Sequence, residues 1–415
     1  MSYLPRFLEG KLREYAKSFP VILVTGARQV GKTTMLRHAL GAKHPFVAFD
    51  PIRDIHNVRR DPDLFLKQWG GPVILDEVQY APELLGAIKR MVDEDKTPGR
   101  FFLTGSQNFA LLRNISESLA GRVMVLRLAP MTVAETAGAG KSSWLAKLLE
   151  NPGKPPAQIL KGFHSHRTGK NFFRQLWRGG MPGILNLKDG VLHDFFESYV
   201  QTYVDRDVRQ IGDVRDVTEF RRFLGLCAAL TAQEVNHSQL GRDIGMTPQS
   251  AARWLALLEG TFLWRSIPAF SNNPVKRLSH KPKGYFADTG LCAALQFISR
   301  PEALETHPQR GPLFETQMAQ DLMGHLSALS GSAAVWHWRT HAGAEIDLVL
   351  ERDGWHWLFE IKSSQTLPKG SLRGFDAFRE TYPKAKIAGS FVLAPVDRIM
   401  PVREGVFALP YDLTG

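Results

Sequence analysis

The stretch Val21-Ile22-Leu23-Val24-Thr25-Gly26-Ala27-Arg28-Gln29-Val30-Gly31-Lys32-Thr33 decides the fold. Its first half is continuously apolar rather than alternating, the pattern of a strand buried on both faces of a parallel sheet. Its second half matches G-x-x-x-x-G-K-[ST] without a mismatch and leads into a helical pattern over Lys32 to Leu40. Glycines let consecutive backbone N–H groups turn inward around phosphates, and the helix N-terminus adds partial positive charge. Lys32 can reach the β and γ phosphates, and the Thr33 hydroxyl can ligate Mg²⁺. The expected nucleotide-binding set is therefore Gly26, Ala27, Arg28, Gln29, Val30, Gly31, Lys32, Thr33 and Thr34.

Working outward, Phe46 to Asp50, Val73 to Glu77, Arg100 to Thr104 and Val123 to Arg127 read as further strands. Lys32 to Leu40, Ala81 to Asp93 and Phe109 to Leu119 read as helices, which makes this part of the chain α/β. V-I-L-D-E ends in two carboxylates: Asp76 to hold Mg²⁺ through its water shell, and Glu77 to polarise an attacking water. L-T-G-S-Q-N offers Ser106, with Asn108 as the alternative, to sense the γ phosphate. Such polar strand ends line the ligand crevice of a parallel sheet. Neither a covalent nucleophile nor an acceptor motif is visible, so hydrolysis of ATP to ADP and phosphate is the expected reaction. Arg122 is either an arginine finger supplied in trans, which requires an oligomer, or a surface arginine in an ion pair.

The rest of the composition sets bounds. With 415 residues, 44% hydrophobic and 22% charged, the chain is long enough for two or three domains with large cores. Cys227 and Cys292 can make neither a disulfide framework nor a thiolate metal site. The opening M-S-Y-L-P-R-F-L-E-G-K carries charges where a signal peptide needs apolar residues, and no run approaches the roughly 18 apolar residues of a membrane span. A cytoplasmic protein without membrane contact is expected. A formal charge of +11 favours encounters with polyanions such as nucleic acid.

The phosphate loop, V-I-L-D-E-V-Q, L-T-G-S-Q-N and L-A-G-R resemble the prokaryotic AAA-type ATPases that carry a shared C-terminal domain of uncertain function. The resemblance continues through R-G-G-M-P-G (Arg178 to Gly183), Y-V-D-R-D-V (Tyr203 to Val208) and Y-F-A-D-T-G-L (Tyr285 to Leu291). It implies ATP hydrolysis, Mg²⁺ and assembly into a homo-oligomer, a hexameric ring among the arrangements. The domains are expected at 1–135 (ATPase), 136–215 (linker and helical segment), 216–298 (winged-helix-like) and 299–415 (nuclease-like α/β).

In the middle, Ser238 to Gly245 and Thr247 to Trp254 read as helix, glycine turn and helix, with Thr247 as N-cap and Pro248 at the first helical position. A winged-helix-like unit would present Gln249, Ser250 and Arg253, with phosphate contacts from Lys276, Arg277, Lys281 and Lys283. A packing or dimerisation module with a solvated basic run is the other reading.

Near the C terminus, Glu345 to Leu350 and Trp355 to Lys362 read as strands joined by Asp353-Gly354, a type I′ turn pair. That register sets Asp347 opposite Glu360 and Glu345 opposite Lys362. Opposed carboxylates repel unless a cation or proton intervenes. Mg²⁺ between Asp347 and Glu360, with Lys362 orienting water and Glu315 completing the set, would make a phosphodiester-cleaving site. The element order and D…E-x-K resemble the restriction-endonuclease-like fold, with Ile346 where a proline usually stands. A salt-bridged strand pair, or a non-cleaving DNA-binding or assembly relic, explains the same residues. The function expected overall is Mg²⁺-dependent ATP hydrolysis acting on or with DNA; a protein-interacting switch and an ATP-controlled nuclease are the alternatives.

Overall fold

The computed structural model describes residues 3–414 except 42–43, 50–54, 107–118, 140–142, 167–171, 204–207, 209–213, 215, 274, 276, 278–279, 332 and 368–371. Asn108, Lys276 and nearly all of the helix expected over Phe109 to Leu119 lie outside the described residues.

The first sheet contains β1 (Val21–Thr25), β2 (Phe46–Ala48), β3 (Val73–Asp76), β4 (Phe101–Gly105) and β5 (Val123–Arg127). All its pairings are parallel, in the order β2-β3-β4-β1-β5. Ile22, Val24, Ile74 and Phe102 enter one core, while Val21, Leu23, Val73 and Leu103 enter another with Leu85 and Ile88 of the helix Glu83–Glu94. Continuous apolar strands thus bury both faces, each large side chain contributing roughly 1.5–3 kcal/mol. This order sets β4 between the strand feeding the phosphate loop and the strand ending in Asp76.

A short pair joins β6 (His164–Ser165) to the chain end, and a small antiparallel sheet runs β7 (Gln233–Glu234), β9 (Lys283–Phe286) and β8 (Trp264–Ile267) in that order. The expected helix pair is present as His237–Ile244 and Pro248–Gly260. The first ends at Gly245 (φ 79°), and the Thr247 side chain accepts from the Ser250 N–H at 3.2 Å.

The last sheet holds β10 (Ala334–Arg339), β11 (Glu345–Arg352), β12 (Trp355–Ile361), β13 (Lys386–Ala394), β14 (Met400–Arg403) and β15 (Val406–Pro410). Its order is β10-β11-β12-β13-β15-β14, and β16 (Leu413–Thr414) returns to pair with β6. The β11–β12 ladder runs from Leu348↔Phe359 to Arg352↔Trp355, as the Asp353-Gly354 turn requires, both turn residues having positive φ. The ladder does not reach Glu345, however. Arg339 stands opposite Glu345 across β10, and Lys362 bonds Glu360 instead.

Two sequence motifs meet in the middle of the molecule. Asp288 caps the helix Thr289–Leu295 by accepting from the Leu291 N–H (2.9 Å), while its other oxygen accepts from the Gly180 N–H (2.7 Å). Met131, just after β5, donates its N–H to Gly180 O at 2.7 Å. The segment R-G-G-M-P-G therefore ties the ATPase sheet to the end of β9.

Candidate nucleotide site and the C-terminal carboxylate cluster

The phosphate loop turns sharply at Gly26, whose φ is 150°, and a Cβ there would stand 2.1 Å from Leu128 O. Gly31, at φ 87°, precedes the helix Lys32–Leu40. The Lys32 ammonium is buried and donates to Gly26 O (3.0 Å) and Ala27 O (2.9 Å). Arg28 donates to the Tyr80 hydroxyl at 3.5 Å, Gln29 (φ 60°) and Thr34 are exposed, and Val30 is buried. The Val30 carbonyl accepts from Arg6 at 2.8 Å.

Across the crevice, Thr33 Oγ1 and Thr104 Oγ1 both donate to Asp76 Oδ1 at 2.6 Å. Burial raises the Asp76 carboxyl above its usual range, and the two threonine hydrogen bonds oppose that rise. Glu77 adopts a left-handed backbone (φ 55°), which directs its N–H to Thr104 Oγ1 at 3.0 Å. Its carboxylate accepts from Ser106 Oγ (3.2 Å) and Gln79 Nε2 (2.5 Å). Lys32, Thr33, Asp76, Glu77 and Ser106 are thus brought to one crevice. Arg122 is not: it pairs with Asp93 at 2.5 Å on the outer surface.

Sequence reasoning missed Thr104, Gln79 and a 380 Å³ cavity behind the loop. Tyr3, Arg6, Gly31, His38, Pro182 and Asn186 are among the residues lining it. The Tyr3 and His38 rings stack at 3.7 Å, and Arg6 is buried against Glu135 (3.2 Å). R-G-G-M-P-G was the available signal for Pro182, but nothing in its spacing tied it to the loop.

The donor set can be tested against the groups it would hold. Hydroxyl and carboxylate oxygens converging at Asp76 suit Mg²⁺, a hard cation. The buried Lys32 ammonium and the start of the helix Lys32–Leu40 supply the positive charge that phosphates need.

The C-terminal carboxylates are arranged differently from expectation. Lys283 was expected on an exposed basic run, but it is 8% exposed and its ammonium contacts Glu315 (2.5 Å) and Asp347 (3.2 Å). Strand β9 alternates, so Lys283 and Tyr285 point the same way, and the Tyr285 hydroxyl donates to Glu315 at 2.7 Å. Asp347 accepts from the Ile361 N–H at 2.8 Å, and Lys362 donates to Glu360 at 2.5 Å. Burial and then the Asp347 charge lift Glu315 to about 7 and Glu360 to about 9. Among the described residues no three His, Cys, Asp or Glu side chains are arranged to hold a metal ion. The Lys283 ammonium supplies the positive charge that Mg²⁺ was expected to bring, so these residues do not fit the metal as they stand.

Of the expected DNA-facing residues, Gln249, Arg253 and Lys281 are exposed and Ser250 is partly so. Arg277 is not available: it pairs with Glu351 (3.1 Å) and lies over the Trp336 ring at 4.5 Å.

Comparison with known proteins follows this division. Residues 18–137 match the model of an AAA domain, 169–302 that of a domain of unknown function (DUF8612), and 310–414 that of a second domain of unknown function (DUF4143). The chain belongs to the AAA-type P-loop ATPases with a C-terminal DUF4143 domain. Its relatives include uncharacterized proteins of Mycobacterium tuberculosis (Rv2008c) and Mycobacterium bovis (Mb2031c). Each is 30% identical over 404 residues, or 97% of this chain and 82% of the relative. Similar solved structures include the Walker-type ATPase PABY2304 of Pyrococcus abyssi, with TM-score 0.43, 17% identity and coverage of 70% of this chain and 94% of that one. The RuvB Holliday junction branch migration motor of Thermotoga maritima gives TM-score 0.31, 15% identity, and 66% and 94% coverage. No described helix is long and apolar enough to cross a membrane.

Proposed function

We propose that this protein hydrolyses ATP to ADP and phosphate with Mg²⁺ and couples the reaction to movement of its middle and C-terminal parts, on or with DNA. The observation that carries the reading is the convergence of Thr33 and Thr104 on Asp76, with Glu77 and Ser106 beside them. Bound Mg²⁺, held through Thr33 and Asp76, would neutralise charge on the phosphates. Lys32 would exchange its loop carbonyls for phosphate oxygens. Glu77, its carboxylate positioned by Ser106 and Gln79, would accept the proton of the attacking water. The cavity lined by Tyr3 and His38 would take the base.

Coupling is supported by the Gly180 bridge between Met131 and Asp288, which would carry a shift of the segment after β5 to the end of β9. DNA contact is supported by the helix pair followed by β8 and β9, with sheet order β7-β9-β8 as in winged-helix modules, and by the exposed Gln249, Arg253 and Lys281. The Lys283 ammonium among the C-terminal carboxylates favours a structural role there over phosphodiester cleavage. An oligomer in which Arg122 acts in trans would first have to release that side chain from Asp93.

The test is steady-state ATP hydrolysis with Mg²⁺, with and without duplex DNA, using Lys32→Ala as control. The expected result is a rate that rises several-fold with DNA and vanishes in the variant. A variant-sensitive rate indifferent to DNA would leave the ATPase and remove the DNA coupling, pointing to a protein partner.

A further inference from the structure

Two arginines from different parts of the chain line one cavity whose lining, among the described residues, includes no carboxylate. Arg127 ends β5 of the ATPase sheet, and Arg265 lies on β8 of the middle module. Both line a 260 Å³ cavity with Phe262 and Trp264 on one side and Gln320 and Leu326, of the helix Arg310–Ser327, on another. The Arg127 guanidinium lies over the Phe262 ring at 4.7 Å. Neither arginine has an ion pair among the described residues. Glu259, the acid that attracts Arg127 at longer range, takes a hydrogen bond from Ser266 Oγ at 2.5 Å. Burial, and then repulsion from Arg127, lowers Arg265 to about 10.

Like charges held together in a partly desolvated cleft raise the energy of the assembly unless an anion joins them. Paired guanidinium forks match phosphate oxygens in geometry as well as charge. A cavity of this size falls below the roughly 300–1,000 Å³ of sites that hold whole small molecules. It suits one or two phosphate groups. We infer that Arg127 and Arg265 form a second anion site, separate from the phosphate loop, which takes the phosphate groups of a phosphorylated ligand and bridges three parts of the chain. Arg127 is followed by Leu128, whose carbonyl backs Gly26, so the occupant would stiffen the support of the phosphate loop.

The test is calorimetric titration of inorganic pyrophosphate into the full-length protein saturated with ADP, without added divalent cation, so that the phosphate loop is already filled. One further binding event is expected. Arg127→Gln and Arg265→Gln should each weaken it about tenfold or more, with ADP stoichiometry retained, and Arg265→Lys should recover part of the loss. Arg127 is the more exposed of the two residues, so its variant keeps the test open if Arg265→Gln does not fold. No pyrophosphate binding to the ADP-saturated protein, or binding undiminished in both glutamine variants, would overturn the inference. A protein that ADP does not saturate would instead overturn the nucleotide reading, while the two glutamine variants still decide this one. Displacement of pyrophosphate by a short DNA duplex would assign the phosphates to a nucleic acid backbone; displacement by free nucleotides alone would assign them to a small ligand. Either displacement supports the site.

Discussion

At the level of single residues, the nucleotide site divides into groups that motif spacing announces and groups that only the sheet order brings in. Glu77 belongs to the first kind, since a strand ending in two acids next to a phosphate loop has few other uses. Replacing it by glutamine should leave ATP binding intact and cut hydrolysis roughly 100-fold or more, checked by nucleotide titration beside steady-state turnover. Thr104 belongs to the second kind. It sits two residues before Ser106 and reads as an ordinary β-branched strand residue, yet it donates to Asp76 and accepts from the Glu77 N–H. Thr104→Val should lower turnover about tenfold and raise the Mg²⁺ concentration needed for half-maximal rate, while Ser106→Ala, which loses contacts to Glu77 and Gln79 but none to Asp76, should leave the Mg²⁺ requirement unchanged. Lys283 is buried although its neighbours Lys281 and His280 are exposed, so nothing in the run K-P-K marks it as a core cation. Lys283→Met would strand Glu315 and Asp347 without their cation. A loss of about 3–5 kcal/mol in urea unfolding is expected, against no measurable change for Lys281→Ala.

At the level of elements, legibility followed the range of the interactions. The parallel strands, the Thr247 cap and the Asp353-Gly354 turn are local signals and are found where the residue pattern puts them. The parity of β11 and β12 follows from the turn as well. What the turn cannot specify is where the ladder stops. Asp347 takes the Ile361 N–H with its side chain, the strands part, and Glu345 turns to Arg339. The other Asp347 oxygen is held by Lys283, which arrives from a distant strand. Close helix contacts are similarly invisible in one dimension. Gly290 opens the helix Thr289–Leu295 against the end of the helix Phe172–Arg178, and a Cβ at Gly290 would lie 2.1 Å from Arg178 O. Gly290→Ala must push these helices apart and strain the Asp288–Gly180 hydrogen bond. It should destabilise the protein by about 1–3 kcal/mol or more in urea unfolding. By contrast Gly311→Ala, where a Cβ meets no atom within 4 Å, should be neutral or slightly stabilising.

At the level of the whole molecule, the parts of the chain are joined by buried polar contacts as well as by a shared apolar core. One such contact ties the C-terminal helix Arg310–Ser327 to the ATPase domain. Asp321 accepts from the Val133 N–H at 3.1 Å and from Gln317 Nε2 at 2.8 Å, and is 8% exposed. Burial lifts its carboxyl to about 8, against the opposing effect of those hydrogen bonds. The unfolded chain would release the same proton near its ordinary value of about 3.9. Between these values the folded state binds more protons than the unfolded state, so this group makes stability fall as pH rises. Its contribution is complete below about pH 4 and is lost as pH climbs to about 8. Asp321→Asn cannot ionise and keeps an oxygen for the Val133 N–H. Urea midpoints at pH 5 and pH 8 should therefore separate less in this variant than in the parent protein, and the variant should gain on the parent at the higher pH. Equal separation in both proteins would show that the carboxyl titrates at the same pH folded and unfolded. The join between ATPase domain and C-terminal helix would then be insensitive to pH through Asp321.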